Sequence, residues 1–293
     1  MDVLANAMHV ALDEARQSLR EGNHGFGAVI VGEGKIIAQA HDEEESQQDC
    51  TSHAEINAIK KASRIRGKNL SGCTIVSTHE PCPMCAAAIV WSGISEIAFG
   101  YSIEESIEQG RKRIALRCAD VFTGAGRNIT IVPGVLHDEC KILYLKTVRS
   151  EVKRLRGATG EILKAYDEES KNKRREWFEA NKSNFDFLKS DKLDAAYNVL
   201  LCRLGIGSEE APIVKRTSRQ VVFHSKNFCP TLEACKILNL DTRYICKWYN
   251  EESTDSLIKL ADSNLQFSRN YEKLRPYTDY CEEYICIAKE KWC

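Results

Sequence analysis

The chain has 293 residues, 43% hydrophobic and 28% charged, enough for about two domains with real cores and unlike a disordered or fibrous composition. Its net charge of −1 divides into −3 over residues 1–150 and +2 over the rest, so neither half has the positive excess that disposes a protein toward nucleic acid. No basic leader or long apolar run is present, which disfavours a signal peptide and a membrane span; thirteen cysteines, an odd count, then suit reduced thiols and metal ligation in the cytoplasm.

In chain order, residues 3–20 place Leu4, Met8, Leu12, Ala15 and Leu19 on one helical face. Gly25 to Gly32 reads as an apolar strand, and Gly32-Glu33-Gly34-Lys35 as a tight turn into Ile36-Ile37-Ala38. A helix is predicted from about Ala54 to Arg64, a buried strand over 73–77, and a second helix over Met84 to Trp91 after two prolines. Strands at 97–100 and 129–132 and a helix from about Asp138 complete an alternating pattern. Strands separated by helices predict an α/β fold, a three-layer α/β/α sandwich whose first hairpin is antiparallel.

Two clusters carry chemistry. His53-Ala54-Glu55 and Pro81-Cys82-Pro83-Met84-Cys85 each stand at the start of a predicted helix. The helix dipole and free N–H groups there lower thiol pKa values. One imidazole and two thiolates fill three positions of a tetrahedral zinc site and leave the fourth for water, the pattern of a catalytic site; a closed structural site has four protein ligands. Glu55 lies two residues from His53 and is placed to move protons. Alone, Cys82-Pro83-Met84-Cys85 also reads as a thiol redox motif or half of a zinc knuckle, and His53-Ala54-Glu55 decides against both. His9, His41 and His79 have no comparable setting and read as ordinary histidines.

Phe26-Gly27-Ala28-Val29-Ile30-Val31, Thr51-Ser52-His53-Ala54-Glu55, and Glu80-Pro81-Cys82-Pro83-Met84-Cys85 with Ala88-Ile89 and Trp91 together resemble the cytidine deaminase-like superfamily, in particular its guanine, cytosine and tRNA-adenosine deaminase branch. The resemblance covers residues 1–150. It implies a mixed five-stranded sheet, one zinc ion on His53, Cys82 and Cys85, and Glu55 as general acid/base in hydrolytic deamination with release of ammonia. It further implies a homodimer, a ring contact from the backbone N–H of Ala54, and stacking of Phe26 and Trp91 on the substrate.

Where most of that branch carries Asn, an ungapped count back from His53 reaches Asp42, in the run Asp42-Glu43-Glu44-Glu45. An ionised carboxylate only accepts hydrogen bonds, which suggests a substrate presenting N–H groups: an amino-substituted pyrimidine, purine or triazine. The same residues also read as a solvated acidic loop. The run disfavours a polyanion, so a small nucleobase- or nucleoside-like heterocycle leads over tRNA. The basic runs Arg111-Lys112-Arg113 and Lys153-Arg154-Leu155-Arg156 read as solvated faces. A catalytically silent binding module is the remaining alternative, and an intact Glu55 speaks against it.

Beyond Gly157-Ala158-Thr159-Gly160 the character changes. Residues 151–194 read as a charged helical linker region and 195–293 as an accessory α+β domain. Cys229, Glu233, Cys246 and Cys281 are candidates to converge on a second polar or metal site, although buried cysteines more often act as small apolar residues. The stretch around them resembles a small domain family that includes an aminothiazoline-carboxylate hydrolase.

Overall fold

The computed structural model describes residues 3–189 and 191–288, and the chain divides into two compact units, Met1–Arg156 and Gly157–Cys293. The first contains α1 Val3–Glu21, β1 Gly27–Gly32, β2 Lys35–His41, α2 Glu44–Gln47, α3 Ala54–Arg66 and β3 Cys73–His79. It continues through α4 Pro83–Ser92, β4 Glu96–Tyr101, α5 Ile103–Glu108, α6 Cys118–Gly124, β5 Thr130–Pro133, α7 His137–Tyr144 and α8 Lys146–Leu155.

Its sheet runs β2-β1-β3-β4-β5, with β1 antiparallel to β2 and β3, and β3, β4 and β5 parallel. Glu33 and Gly34 both have positive φ, 53° and 71°, which is the turn geometry whose twist suits a two-residue hairpin. Side chains alternate across the sheet. Ala28 and Ile30 of β1 join Ala54 and Ala58 of α3 and Ala86 and Ile89 of α4 in one fully buried layer. On the other face Gly27 meets α1 so closely that a Cβ would lie 1.9 Å from the Ala11 carbonyl oxygen. The alanine-rich inner face of α3 lets it lie close on the sheet, and this sets the depth at which its first residues stand.

Strand ends and helix starts place the site. Pro83 occupies the first turn of α4, and Gly93 closes that helix in the left-handed region at φ 76°. Ser102 and Glu105 form a reciprocal capping box on α5. The short helices α5 and α6 lack a long apolar stripe and were not expected from the sequence; between them lies the run that includes Arg111-Lys112-Arg113.

The second unit contains α9 Gly160–Asn181, α10 Lys192–Leu204, β6 Ile213–Arg216, β7 Gln220–Ser225, α11 Pro230–Leu238, α12 Thr242–Tyr249, α13 Glu251–Ala261, β8 Leu265–Arg269 and β9 Cys281–Ile287. An antiparallel sheet β6-β7-β9-β8 packs with α10 and α13 around Val199, Leu257, Phe223, Phe267 and Ile285. The expected helical linker of residues 151–194 is shared out. Its first residues finish α8 in the first unit, while α9 buries Leu163 and Phe178 in the second. Among the described residues no helix is long and apolar enough to cross a membrane.

Candidate active site

His53 is the N-cap of α3 and Cys82 the N-cap of α4, so both helices begin at the site. Nδ1 of His53 lies 3.5 Å from Sγ of Cys82 and 3.5 Å from Sγ of Cys85. Zinc bonds of about 2.3 Å to sulfur and 2.0–2.1 Å to nitrogen at the tetrahedral angle put such donors roughly 3.6 Å apart, so these three side chains fit one ion. Nε2 of the ring points the other way, 3.7 Å from Oε2 of Glu44. That is where a carboxylate orients a ligating imidazole.

The three donors act strongly on one another's titration. Cys85 and then His53 hold the Cys82 thiol down to about 4. The Cys82 thiolate in turn raises His53 to about 9, while the Cys85 thiol is pushed well up, first by Cys82 and then by burial. Glu55, 4% exposed in the first turn of α3, is held above the usual carboxylate range by burial and then by the Cys82 charge. Its Oε1 accepts from Ser77 Oγ at 3.0 Å, and its Oε2 from Cys85 Sγ at 3.3 Å.

The cavity beside these groups is small, about 40 Å³, and its wall includes Phe26, His79, Glu80, Arg113 and Ile114. Arg113 and Ile114 belong to the segment between α5 and α6. Glu80 ties down the first residues of α5 and α6, which flank that segment: Oε2 accepts from Ile103 N–H and Oε1 from Cys118 N–H, each at 3.0 Å.

Of the residues predicted to touch substrate, Phe26 lines the cavity, with Tyr144 stacked on it at 5.4 Å and the Arg113 guanidinium 4.9 Å from its ring centre. Ala54 is fully buried at the first helical position, where an amide N–H has no intrahelical acceptor. Asp42 does not line the cavity. It is fully buried, its Oδ1 accepts from His24 N–H at 3.0 Å, and an oxygen of its carboxylate lies within 4.8 Å of a ring nitrogen of His53. The solvated-loop reading of the acidic run therefore fails at Asp42, and Glu44 faces His24 and His53. Trp91 is not brought to the site. It is 88% exposed, because α4 turns Cys85, Ala86 and Ile89 inward and a residue two places beyond Ile89 faces away.

His79 is more than an ordinary histidine: it is buried in the cavity wall, donates Nδ1–H to the Glu80 carbonyl at 2.8 Å and accepts at Nε2 from Ser106 Oγ at 3.0 Å. Burial, aided by Arg113 and Arg111, holds it neutral with a pKa of about 3. Nor is the run at 111–113 a solvated face. The Arg111 guanidinium lies 5.2 Å from the Tyr144 ring centre, and burial, with repulsion from Arg149 and Arg113, lowers it to about 10. Arg111 Nη1 and Arg113 Nε and Nη2 are buried without a hydrogen-bond partner. With Lys112, Lys146, Arg149, Lys153 and Arg156 they line a groove of about 730 Å³ that shares Arg113 with the catalytic cavity. Both basic runs of the sequence contribute to this groove, Arg111-Lys112-Arg113 directly and Lys153 and Arg156 from α8 and its end, where Lys146 and Arg149 join them.

In the second unit Cys229, Cys246 and Cys281 line one cavity, whereas Glu233 does not and pairs with Lys236 at 2.8 Å. Among the described residues, metal-type donors gather three or more within 4.8 Å only as His53–Cys82–Cys85 and Asp42–Glu44–His53. The four-residue second site is thus not assembled as a metal centre.

A mixed five-stranded sheet with an imidazole and two thiols at adjoining helix starts defines the class: a zinc-binding domain of cytidine deaminase-like fold. The family model for the cytidine and deoxycytidylate deaminase zinc-binding region matches residues 1–101. The chain is 45% identical over 93 residues to the tRNA-specific adenosine deaminase of Aquifex aeolicus, a match covering 31% of this chain and 62% of that one. It is 32% identical over 137 residues to a probable cytosine deaminase of Schizosaccharomyces pombe, covering 45% and 84%. To the tRNA-specific adenosine deaminase of Bacillus subtilis it is 42% identical over 134 residues, covering 45% and 81%. The chain belongs to the cytidine and deoxycytidylate deaminase family, zinc-dependent hydrolases that act on C–N bonds.

Proposed function

We propose that this protein hydrolytically removes an exocyclic amino group from a nucleobase, with zinc on His53, Cys82 and Cys85 and with Glu55 as the proton carrier. The observation that supports this reading most is the place of Glu55, a buried carboxylate beside the three donors with Ser77 fixing one of its oxygens. Zinc held there supplies Lewis acidity that brings the pKa of water from 15.7 to about 7. Glu55 takes the proton from water and delivers it to the departing amine, a task helped by a carboxyl whose affinity for protons burial has raised. The N–H of Ala54 and the ring of Phe26 orient the base.

For the substrate, the basic groove that joins the cavity at Arg113 supports a base carried on phosphate, as in the tRNA-specific relatives. The groove reverses the preference drawn from net charge, because cations from α8 and the 111–113 segment collect on one side of the unit. A free guanine-, cytosine- or amino-triazine-type base is the second reading, favoured by the cytosine deaminase relative and by the net charge of −3 over residues 1–150. A homodimer in the cytoplasm accompanies either reading, and sedimentation of the purified protein tests the dimer.

The test is ammonia release by zinc-loaded protein from bases, nucleosides, nucleotides and tRNA, with Glu55→Ala as the blank. Turnover of tRNA or a nucleotide alone supports the first reading, and turnover of a free base the second. Silence on the whole panel, with zinc bound, refutes both.

A further inference from the structure

The second unit encloses a cavity of about 280 Å³ lined by residues of α9, α10, α11, α12, α13, β8 and β9. Arg174, Arg269 and Arg275 line it, against one acidic residue, Glu283. The Glu283 carboxylate is already engaged: Oε1 accepts from Arg269 Nε at 2.7 Å, and Oε2 accepts from the Ser225 hydroxyl. Arg269, whose side chain is 11% exposed, donates its Nη1 to Asn250 Oδ1 at 2.6 Å. Arg275 gives its Nη1 to the carbonyls of Lys226 and Asn227.

Arg174 makes no ion pair within 4 Å among the described residues, and the carboxylates of Asp167 and Glu283 only partly offset the like charges on it. Its Nη1 donates to Thr254 Oγ1 at 2.5 Å, and burial together with the charges of Arg269 and Arg203 lowers it to about 10. A guanidinium withdrawn from water beside like charges is costly unless an anion meets it. Its planar fork matches the two oxygens of a carboxylate or phosphate. Leu200, Leu204 and Phe228 supply an apolar part of the wall, and Asn227, Asn250 and Thr231 a polar part. Burial raises Cys229 and lifts Cys246 to about 12, so these two thiols are not nucleophiles here.

We propose that this cavity binds a small organic oxyanion, a carboxylate or a phosphate monoester, with its charged end on Arg174 and its body against Leu200, Leu204 and Phe228. The proposal stands apart from the deaminase site, which lies wholly in the first unit.

The experiment follows alkylation of Cys281 by iodoacetamide in the full-length protein, read by peptide mass spectrometry. Cys50 and Cys202, both exposed, serve as internal controls. Saturating inorganic phosphate or benzoate should slow labelling of Cys281 about fivefold or more and leave the controls unchanged, while neutral benzamide does nothing. The anion that protects identifies the source, phosphate or carboxylate. Arg174→Gln should abolish the protection; if that variant does not fold, the wild-type comparison stands alone. Equal labelling with all three additives, equal protection by benzamide, or protection that survives in folded Arg174→Gln overturns the proposal.

Discussion

Glu44 stands 3.7 Å from Nε2 of His53, on the side of the ring opposite the two thiols. The outer nitrogen of the imidazole thus has a carboxylate nearby to turn toward. Removing such an orienting group typically costs 10–100-fold in metal affinity, so Glu44→Ala should lower zinc affinity by about that factor. Competition with a chelator measures it. Glu45→Ala, which removes a partner of His24 only, should leave zinc affinity unchanged.

Ser77 tests the proton carrier without touching a donor. Ser77→Ala leaves Oε1 of Glu55 without its hydrogen bond, and a bond to a charged group is worth roughly 1.5–3 kcal/mol. The expected result is a kcat lower by about tenfold or more with zinc content unchanged. A fall in KM alone, or loss of zinc, would contradict the assigned role.

Glu80→Gln should loosen the cover of the cavity. An amide nitrogen then faces either the Ile103 or the Cys118 N–H, donor against donor, in a position 5% exposed. A buried donor left unmet costs about 1–3 kcal/mol. Hydrogen exchange should quicken across residues 103–118 while β3 stays protected.

The pH dependence of His79 has a definite sign. The unfolded chain takes up a proton near 6.5, but the folded His79 does not until about 3. Its contribution to stability is complete above 6.5 and lost as pH falls toward 3. Urea midpoints of zinc-free wild type and His79→Gln, taken at pH 7.5 and 4.5, should show the larger acid loss in the wild type. Equal losses would mean that His79 charges freely in the folded state.

If the substrate is carried on phosphate, exposed Lys112 and Lys153 of the groove act through charge alone. Replacing either by alanine should weaken tRNA binding and reduce the slope of log affinity against log salt by about 1. A slope unaffected by both changes would favour the free-base reading.

Much of the site was legible because its residues are close in sequence and sit where strands end. His53, Glu55, Cys82 and Cys85 fall at two helix starts, and the fold brings those starts together as their chemistry requires. Trp91 misled because position in a motif does not fix the side of a helix. The roles of Arg111, Arg149 and Glu80 were not legible because they depend on burial and on partners from 23 to 125 residues away. In the second unit β9 was hidden by Glu282 and Glu283, which look solvent-facing until Lys273, His224 and Arg269 are found around them. Edge strand β6, exposed throughout, offers no apolar pattern at all.

Strand β3 carries Ser77 to Glu55 and then runs on through His79 and Glu80 to Cys82. Ser77 is held opposite Ala28 on one side and Phe99 on the other. A slip of one residue would turn the hydroxyl to the opposite face of the sheet and draw the thiols off His53 in the same movement. Alignment of neighbouring strands is thus a condition of reactivity: a chain that assembles its sheet out of step can be compact, and still be chemically inert.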